Sequence, residues 1–255
     1  MASEAYAAIA VRAAAAAQVF VEDLADLTLA KEDDHHLARV LRLRGGEEVI
    51  VSDGRGGWLR TAWTPKSGLA PLTGAAGLGG DGSVQHEIAS APTLTVAFAP
   101  TKGERPEWVT QKLTELGIDR IVPIISERSV VRWEGERGKH AVEKLRRVAR
   151  EAAAQCRRVW LPDIADVASF AELPGLSPNP GEVVLAQLSG DRPDAAHRVV
   201  AVGPEGGWSE AELGSGLPTV GFGLSVLRAE TAAVTAGALM MSLRTGTVKA
   251  VGKSS

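Results

Sequence analysis

The sequence predicts an α/β protein in which a small β-barrel precedes a larger domain built on a parallel sheet. Short β-branched stretches separated by Gly-rich turns fill residues 17–90, a pattern typical of small barrels. From Leu94 onward, strand-like stretches alternate with helical ones, which indicates parallel strands joined by helices. We therefore expect one domain over residues 1–90 and a second over residues 91–255.

Composition is that of an ordinary globular chain of 255 residues, with 45% hydrophobic and 23% charged residues and a net charge of −3. No run of about 18 apolar residues occurs, so no membrane span is predicted. The lone cysteine, Cys156, excludes an internal disulfide and is compatible with a reducing cytoplasm without requiring one, and we expect a cytoplasmic location. The Ala-rich start, Ala5–Ala17, lacks a basic region before its apolar part, so we expect a partly ordered lead-in to the first strand and no signal peptide.

Four strands and one helix are expected in the first domain. The strands are Gln18–Val21, Glu48–Ser52, Trp58–Trp63 and Val84–Ala89, with a long hairpin loop or linker over 65–83. The helix is expected over Asp33–Leu43, and Asp33 or Asp34 can cap its start. Its apolar face should carry Leu37, Val40 and Leu41.

Five strands and four helices are expected in the second domain. The strands are Thr93–Ala99, Arg120–Ile125, Glu182–Gln187, Arg198–Val202 and Thr219–Phe222. The helices are Pro106–Leu116, ended by Gly117, then Gly138–Val159, a short one that begins with the capping box of Ser209, and Ala229–Leu243. The longest helix should bury Val142, Leu145, Ala149, Ala152, Cys156 and Val159, so that the cysteine is a core residue.

Two Gly-bearing loops follow the last two strands and indicate a ligand pocket. The GPEGG loop is Gly203–Gly207, and the GFGLSV loop is Gly221–Val226. Loops at the carboxyl ends of neighbouring parallel strands are where ligands bind in open α/β sheets. The GPEGG loop lacks the Lys-Ser/Thr of a Walker phosphate loop, and the GFGLSV loop lacks the third glycine of the dinucleotide fingerprint.

A basic segment from Arg128 to Arg158 carries ten Lys and Arg residues against four acids, although the whole chain is acidic. Arg146, Arg150 and Arg157 are predicted to form one helical stripe suited to phosphates, the alternative being a solvated helix face. A second basic cluster, Arg39, Arg42 and Arg44, makes RNA binding plausible across both domains. The adjacent pair His35 and His36 diverges on a helix and has no third ligand, so no metal site is expected.

Six motifs in a fixed order carry a resemblance that spans nearly the whole chain. They are HHLARVLRLRGGEEVIVSDG, TKGERPEWVTQKLTELGI, PIISERSV, REAAAQCRR, VGPEGGWSEAE and LRAETA. The sequence resembles the RsmE family, which methylates N3 of a uridine in small-subunit (16S) ribosomal RNA, namely uridine 1498. The resemblance implies a PUA-like β-barrel over residues 1–90 and a trefoil-knotted SPOUT methyltransferase domain over residues 91–255.

The resemblance also implies S-adenosylmethionine (SAM) as cofactor, a homodimer, ribosomal RNA within the assembled small subunit as partner, and no need for a metal. A third loop after Gln187 is expected to close the site. The cofactor residues it implies are Gln187, Val202, Gly203, Pro204, Glu205, Gly206, Gly207, Gly223, Leu224, Val226, Leu227, Arg228, Ala229 and Thr231. The RNA-binding residues it implies are His36, Arg39, Arg42, Arg44, Lys102, Arg105, Arg128, Arg146, Arg150 and Arg157.

Three residues are candidates for the chemistry at uridine N3. Arg228 suits the stabilisation of a uracil anion, and Glu230 or Glu205 is the candidate base. Two structural interpretations stay open at this point. Glu230 can instead cap the last helix, and Glu205 can instead hold its loop by accepting backbone N–H bonds.

Three rival functions are compatible with parts of the sequence. A dinucleotide-dependent oxidoreductase would use the GFGLSV loop, but the third glycine and a ribose-binding acid are both missing. A non-catalytic RNA-binding protein of ribosome assembly would need no intact cofactor loops. A SPOUT methyltransferase acting on another RNA nucleotide would share the same pocket.

Overall fold

The computed structural model describes residues 2–249, with side chains described from Tyr6 onward. The chain divides into two compact units. The first takes in the residues up to Ser90 together with Arg150–Leu161, and the second takes in Ala91–Ala149 and the residues from Pro162 on. The segment Arg150–Leu161 thus packs with the first unit, although its sequence position assigned it to the second. The predicted domain limits themselves stay a prediction.

A five-stranded sheet forms the centre of the first unit. Its strands are β1 (Ala17–Phe20), β2 (Glu47–Ser52), β3 (Gly57–Thr64), β4 (Gly68–Pro71) and β5 (Gln85–His86). β1 pairs parallel with β2, β2 pairs antiparallel with β3, and β3 pairs antiparallel with both β4 and β5. The expected loop over 65–83 therefore contains a strand, because its first residues turn back on β3. The expected strand Val84–Ala89 is reduced to two residues.

The Ala-rich start forms helix α1 (Ala2–Ala14), which corrects the expected partly ordered lead-in. Alanine has the highest helix propensity, and the helix gains stability by packing Ala8 beside Ile50 and Trp58. Arg12 is buried against the Trp58 ring, 5.3 Å from its centroid, and pairs with Glu87. Burial lowers the pKa of the Arg12 guanidinium to about 10.

The expected helix over Asp33–Leu43 is shorter and irregular. Helix α2 (Lys31–His35) is followed by a π-helical turn at His36–Val40. Neither predicted aspartate caps it, since the N-cap is Ala30 without a side-chain bond, and Asp34 instead accepts a hydrogen bond from Trp63 Nε1 over 3.1 Å. The wider π turn changes the angular spacing of the side chains. Leu37 is therefore buried, but the other two predicted apolar-face residues, Val40 and Leu41, are exposed.

Helix α4 (Gly135–Gln155) ends before the predicted limit at Val159, and this changes the environment of three residues. Arg157 has a positive φ of 61°, which breaks the helical spacing. Cys156 is exposed, so its prediction as a core residue is wrong. Val159 is buried, but against Ile50 and Trp58 of the first unit. Arg157 also leaves the predicted stripe of arginines.

The second unit is built on a seven-stranded, fully parallel sheet. Its strands are β6 (Thr95–Phe98), β7 (Arg120–Ile125), β8 (Asp163–Ile164), β9 (Ala168–Ser169), β10 (Val183–Asp191), β11 (Val199–Val202) and β12 (Thr219–Val220). The strand order is β12-β10-β11-β6-β7-β8, with β9 also on β7. Its helices are α3 (Arg105–Leu116), α4, α5 (Glu210–Leu213) and α6 (Ala229–Arg244). Two 3-10 helices, Phe170–Leu176 and Pro180–Glu182, precede β10.

Both faces of this sheet are covered, as expected for parallel strands. One core contains Val96, Phe98, Leu113, Leu145 and Ala233, and the other contains Ala97, Val122, Ile124, Leu173 and Trp208. α6 lies very close to α3, because a Cβ on Gly237 would come within 2.6 Å of the Leu113 side chain. The small residues of α6 permit this packing.

Local signals at helix ends are confirmed. Gly117 ends α3 with a left-handed φ of 91°. The Ser209 hydroxyl oxygen accepts a hydrogen bond from the Glu212 backbone N–H, and the Glu212 carboxylate accepts one from the Ser209 backbone N–H. The capping box of α5 is therefore complete. The strand Arg120–Ile125 has the predicted limits.

Candidate active site

The two Gly-bearing loops of the second unit line one cavity at the carboxyl edge of its sheet. The GPEGG loop follows β11 and the GFGLSV loop follows β12, and both strands pair with β10. The cavity has a volume of about 370 Å³. Ten of the residues expected to bind the cofactor line it: Gln187, Val202, Gly203, Pro204, Glu205, Gly207, Val226, Leu227, Arg228 and Ala229.

Four of the expected cofactor residues do not line the cavity. Gly206 faces Arg128, whose Cβ would lie 3.5 Å from an added Gly206 Cβ. Gly223, Leu224 and Thr231 are exposed to solvent. The structure adds seven lining residues that were not among the expected cofactor residues: Ala186, Leu188, Trp208, Val220, Phe222, Ser225 and Ala232. The assignment of cofactor contacts stays a prediction.

Trp208 forms one wall of this cavity and is almost fully buried. Its indole nitrogen donates to the Ala186 carbonyl oxygen over 3.0 Å, and its ring meets the Phe170 ring edge-on at 5.6 Å. A Cβ on Gly203 would lie 3.1 Å from the ring, so only glycine fits there without displacement. A large aromatic directly after a Gly-rich loop is the sequence signal that could have identified it.

Strand β10 bulges where it passes the cavity, which corrects the expected loop after Gln187. Ala186 and Asp191 both pair with Val220, so the four residues between them bulge out of register. The bulge brings Gln187 and Leu188 into the cavity wall. Gly190 is required in this bulge, because an added Cβ would come within 2.5 Å of the Val220 backbone.

The two candidate bases lie on either side of one guanidinium. Arg105 Nη1 is 3.2 Å from Glu205 Oε1, and Arg105 Nε is 3.6 Å from Glu230 Oε1. The Glu230 side chain is 13% exposed, whereas that of Glu205 is 43% exposed. Within the described residues, the buried Oε2 of Glu230 has no hydrogen-bond partner.

Neither structural alternative for these acids is observed. The N-cap of α6 is Arg228, and no side chain caps this helix. Glu230 lies in the first turn, where the helix dipole favours an acid, but it does not act as the cap. The hydrogen bond that Glu205 accepts comes from Arg105 and not from a backbone N–H. Arg228 is exposed and lines the cavity beside Leu227 and Ala229.

The expected RNA-binding residues of the second unit differ in the contacts that they make. Lys102 is exposed in the segment after β6. Arg105 contacts the two acids, and Arg128 donates to the Gly206 carbonyl oxygen over 3.1 Å. Arg146 instead donates to Ile164 O over 3.0 Å and pairs with an aspartate.

In the first unit the expected RNA-binding residues fall into two groups. His36, Arg39, Arg42 and Arg44 are exposed. Arg150 stacks over the Phe20 ring at 5.2 Å and donates to Phe20 O over 2.7 Å. Arg157 donates to Ala15 O over 2.9 Å, and burial lowers the pKa of its guanidinium. The predicted stripe of Arg146, Arg150 and Arg157 is therefore not a free basic surface.

Comparison with known proteins decides the family. A sequence model described as the RNA methyltransferase domain matches residues 89–241, and one described as the RNA methyltransferase PUA domain matches residues 29–60. The ribosomal RNA small subunit methyltransferase E of Synechocystis sp. is 31% identical over 237 residues, covering 86% of this chain and 74% of that protein. This chain belongs to the RsmE family. The predicted family is thereby confirmed.

Further RsmE relatives and solved structures agree. The Bacillus subtilis protein of the same name is 26% identical over 83% of this chain and 88% of its own length. The Neisseria gonorrhoeae RsmE crystal structure, bound to S-adenosyl methionine, is 25% identical with a TM-score of 0.71, covering 89% of this chain and 97% of that one. A probable rRNA-methyltransferase from Porphyromonas gingivalis shares the fold, with 24% identity and a TM-score of 0.72 over 91% of this chain and 100% of that one.

The predicted α/β fold class is confirmed by these findings: a PUA-like domain is followed by an RNA methyltransferase domain on a parallel sheet. Over the described residues, no helix is long and apolar enough to cross a membrane. Over the same residues, no group of His, Cys, Asp or Glu side chains is arranged to hold a metal ion.

Proposed function

We propose that this RsmE-family chain transfers the methyl group of SAM to N3 of a uridine in small-subunit ribosomal RNA, uridine 1498 in the family. The observation that carries the proposal is the cavity at the carboxyl edge of the sheet. The two Gly-bearing loops line it, and Arg228 and Glu205 are on its wall. Glu230 lies one residue past Ala229 of the same wall.

The cavity is suited to SAM by size and by shape. Its volume of about 370 Å³ falls at the lower end of the usual range for small-molecule pockets. Gly207 has a φ of 68° and lines the cavity, yet an added Cβ would meet no atom within 4 Å, so space for a ligand lies in front of it. Gly203, Gly207, Leu227 and Ala229 can hold the adenosine through backbone groups. When bound, SAM supplies a methyl group made electrophilic by its sulfonium.

The uridine nucleophile needs help from this chain, because N3 of neutral uridine carries a proton. Glu230 accepts that proton as the N3–methyl bond forms and the sulfur–methyl bond breaks, which leaves neutral S-adenosylhomocysteine. Arg228 donates hydrogen bonds to the uracil oxygen on which negative charge develops. Arg228 is available for this task because it forms no ion pair within residues 2–249.

An unpartnered carboxylate oxygen favours Glu230 over Glu205 as the base. The Glu230 carboxylate is largely withdrawn from water and has one oxygen without a donor among the described residues. A carboxylate oxygen without a donor keeps its lone pairs available for the proton of uridine N3. Glu205 is more exposed, and its ion pair with Arg105 fixes the GPEGG loop.

The RNA is held chiefly by exposed basic residues of the PUA-like unit and by Lys102 and Arg128. His36, Arg39, Arg42 and Arg44 are free to contact phosphates, which Arg150 and Arg157 are not. The partner is 16S ribosomal RNA in the assembled small subunit, and the working form is a cytoplasmic homodimer. The family resemblance supports both statements.

A methyl-transfer assay tests the proposal. Purified protein is incubated with isotopically labelled SAM and small ribosomal subunits that lack the modification, and the RNA is digested for mass spectrometry of its nucleosides. The proposal expects labelled 3-methyluridine, and it expects E230Q and R228A to lower its formation by about 100-fold. A label on another nucleoside supports the alternative of a SPOUT enzyme with another target. No label, with SAM bound, supports a non-catalytic assembly protein.

A further inference from the structure

Arg105 connects the two candidate acids, Glu205 on the cavity wall and Glu230 in the first turn of α6. It is the first residue of α3, directly after the segment that leaves the central strand β6. Glu205 comes from the loop after β11, and Glu230 comes from the first turn of α6. One guanidinium thus bridges three segments that meet at the carboxyl edge of the sheet.

The geometry of this bridge uses two different edges of the guanidinium. Nη1 donates to Glu205 at 3.2 Å, and Nε faces Glu230 at 3.6 Å. A planar fork with five N–H donors can serve two carboxylates at once, whereas a lysine ammonium acts as a point charge. The arrangement therefore calls for arginine specifically.

Burial shows which acid depends more on Arg105. The side chains of Arg105 and Glu205 are 45% and 43% exposed, so this ion pair is screened by water and contributes little stability. Glu230 is mostly buried, and within residues 2–249 its ion pair is with Arg105. A buried carboxylate that loses its cation is strongly disfavoured unless it moves or takes up a proton.

We infer that Arg105 is a positioning residue that holds the Glu230 carboxylate in the first turn of α6, next to the cavity-lining Ala229, and fixes the GPEGG loop through Glu205. This inference rests on the proposed function, in which Glu230 takes the N3 proton. It differs from the RNA-backbone role that the sequence indicated for Arg105. A guanidinium occupied by two carboxylates is not the free cation that a phosphate contact requires.

Steady-state kinetics on the full-length protein test the inference, with small ribosomal subunits as substrate and SAM saturating. R105A should lower kcat by about 10–100-fold and change KM for the subunits by less than about threefold, because binding stays while the base is misplaced. R105K should restore part of kcat. R105Q serves as a second variant if R105A does not fold. The matched control is K112A on the same helix, a half-buried residue outside the cavity lining that pairs with Glu115 and should retain full kcat.

A double-mutant cycle with E230Q separates this inference from the proposed function. If Arg105 acts through Glu230, the R105A/E230Q double variant has a kcat within about twofold of E230Q alone. If the two losses multiply, or if R105A raises KM with kcat intact, Arg105 acts independently and the inference is wrong. If E230Q retains full kcat, the proposed base is wrong. If E230Q is impaired but R105A is not, the proposed function stands and this inference alone fails.

Discussion

The indole nitrogen of Trp208 donates a hydrogen bond to the main-chain oxygen of Ala186 across 3.0 Å. This bond joins the residue that follows the GPEGG loop to the point where β10 begins its bulge. Two walls of the cavity are therefore fixed to each other by one side chain. The cavity's shape depends on this contact as well as on its glycines.

Replacing Trp208 with phenylalanine should loosen this connection. W208F removes the N–H donor and also replaces the buried indole with a smaller phenyl ring, so we expect a loss of at least about 1 kcal/mol in the free energy of unfolding. SAM affinity should fall about fivefold if the same energy is lost from the bound form. Urea denaturation and calorimetric titration with SAM measure these two effects. The control is W108F on α3, where the ring is 44% exposed and a change below about 0.5 kcal/mol is expected. Unchanged SAM affinity in W208F would show that the contact does not shape the cavity.

Gly203 should not tolerate even a methyl group. G203A would place its Cβ 3.1 Å from the Trp208 ring, and the ring must then move toward the cavity or Phe170. We expect a destabilisation of about 1–3 kcal/mol from overpacking, and weaker SAM binding. Thermal unfolding and calorimetry measure both. G175A is the matched control, since an added Cβ there meets no atom within 4 Å, and its stability should stay within about 0.5 kcal/mol of the wild type. Equal behaviour of the two variants would contradict the account.

Arg157 and Arg39 were both expected to bind RNA, but their substitution should have opposite effects on stability and on RNA affinity. R157M removes partly buried hydrogen bonds to Ala15 O and Ala154 O, so it should lower stability by about 1–3 kcal/mol and leave RNA affinity unchanged. R39M removes an exposed charge, so it should leave stability unchanged. It should also weaken RNA binding and reduce the slope of log K against log salt by about 1. Filter binding of 16S ribosomal RNA over a salt series, with parallel thermal melts, measures both variants. A salt slope that falls for R157M instead would reverse the assignment.

The polypeptide 1–90 should not fold on its own. The first unit also needs Val159, which accepts a backbone bond from Gly56 over 3.0 Å and packs beside Trp58. Gln18 further donates to Arg158 O over 2.7 Å. Without the segment Arg150–Leu161, these groups lose their partners, so we expect no cooperative unfolding transition by circular dichroism. A dispersed proton spectrum with a sharp thermal transition for residues 1–90 would show that the segment is dispensable.

Local chemistry made part of the fold predictable from the sequence. The capping box at Ser209 and the left-handed Gly117 depend on residues three or four positions apart, and both were predicted correctly. The limits of β7 follow from a β-branched run between turn residues. The cavity position followed from a rule about parallel strands that needs no side-chain detail. A knotted path was predicted only because the family resemblance implies it, since no local sequence pattern encodes a knot.

Contacts between segments that are distant in the chain could not be predicted from the sequence. Cys156 is exposed and lies just past the last residue of α4, a helix end that an apolar periodicity does not register. The ion pairs of Arg105 with Glu205 and Glu230 join residues that are at least 100 positions apart in the chain. The bulge in β10 depends on its register with Val220. Each of these is set by tertiary packing.

The central claim is that this chain methylates N3 of one uridine in small-subunit ribosomal RNA. The most direct measurement is nucleoside mass spectrometry of 16S ribosomal RNA from a strain in which the gene is deleted, complemented in turn with the wild type and with E230Q. The account predicts that 3-methyluridine disappears on deletion, returns with the wild-type gene, and stays absent or strongly reduced with E230Q. Unchanged 3-methyluridine in the deletion strain would contradict the account.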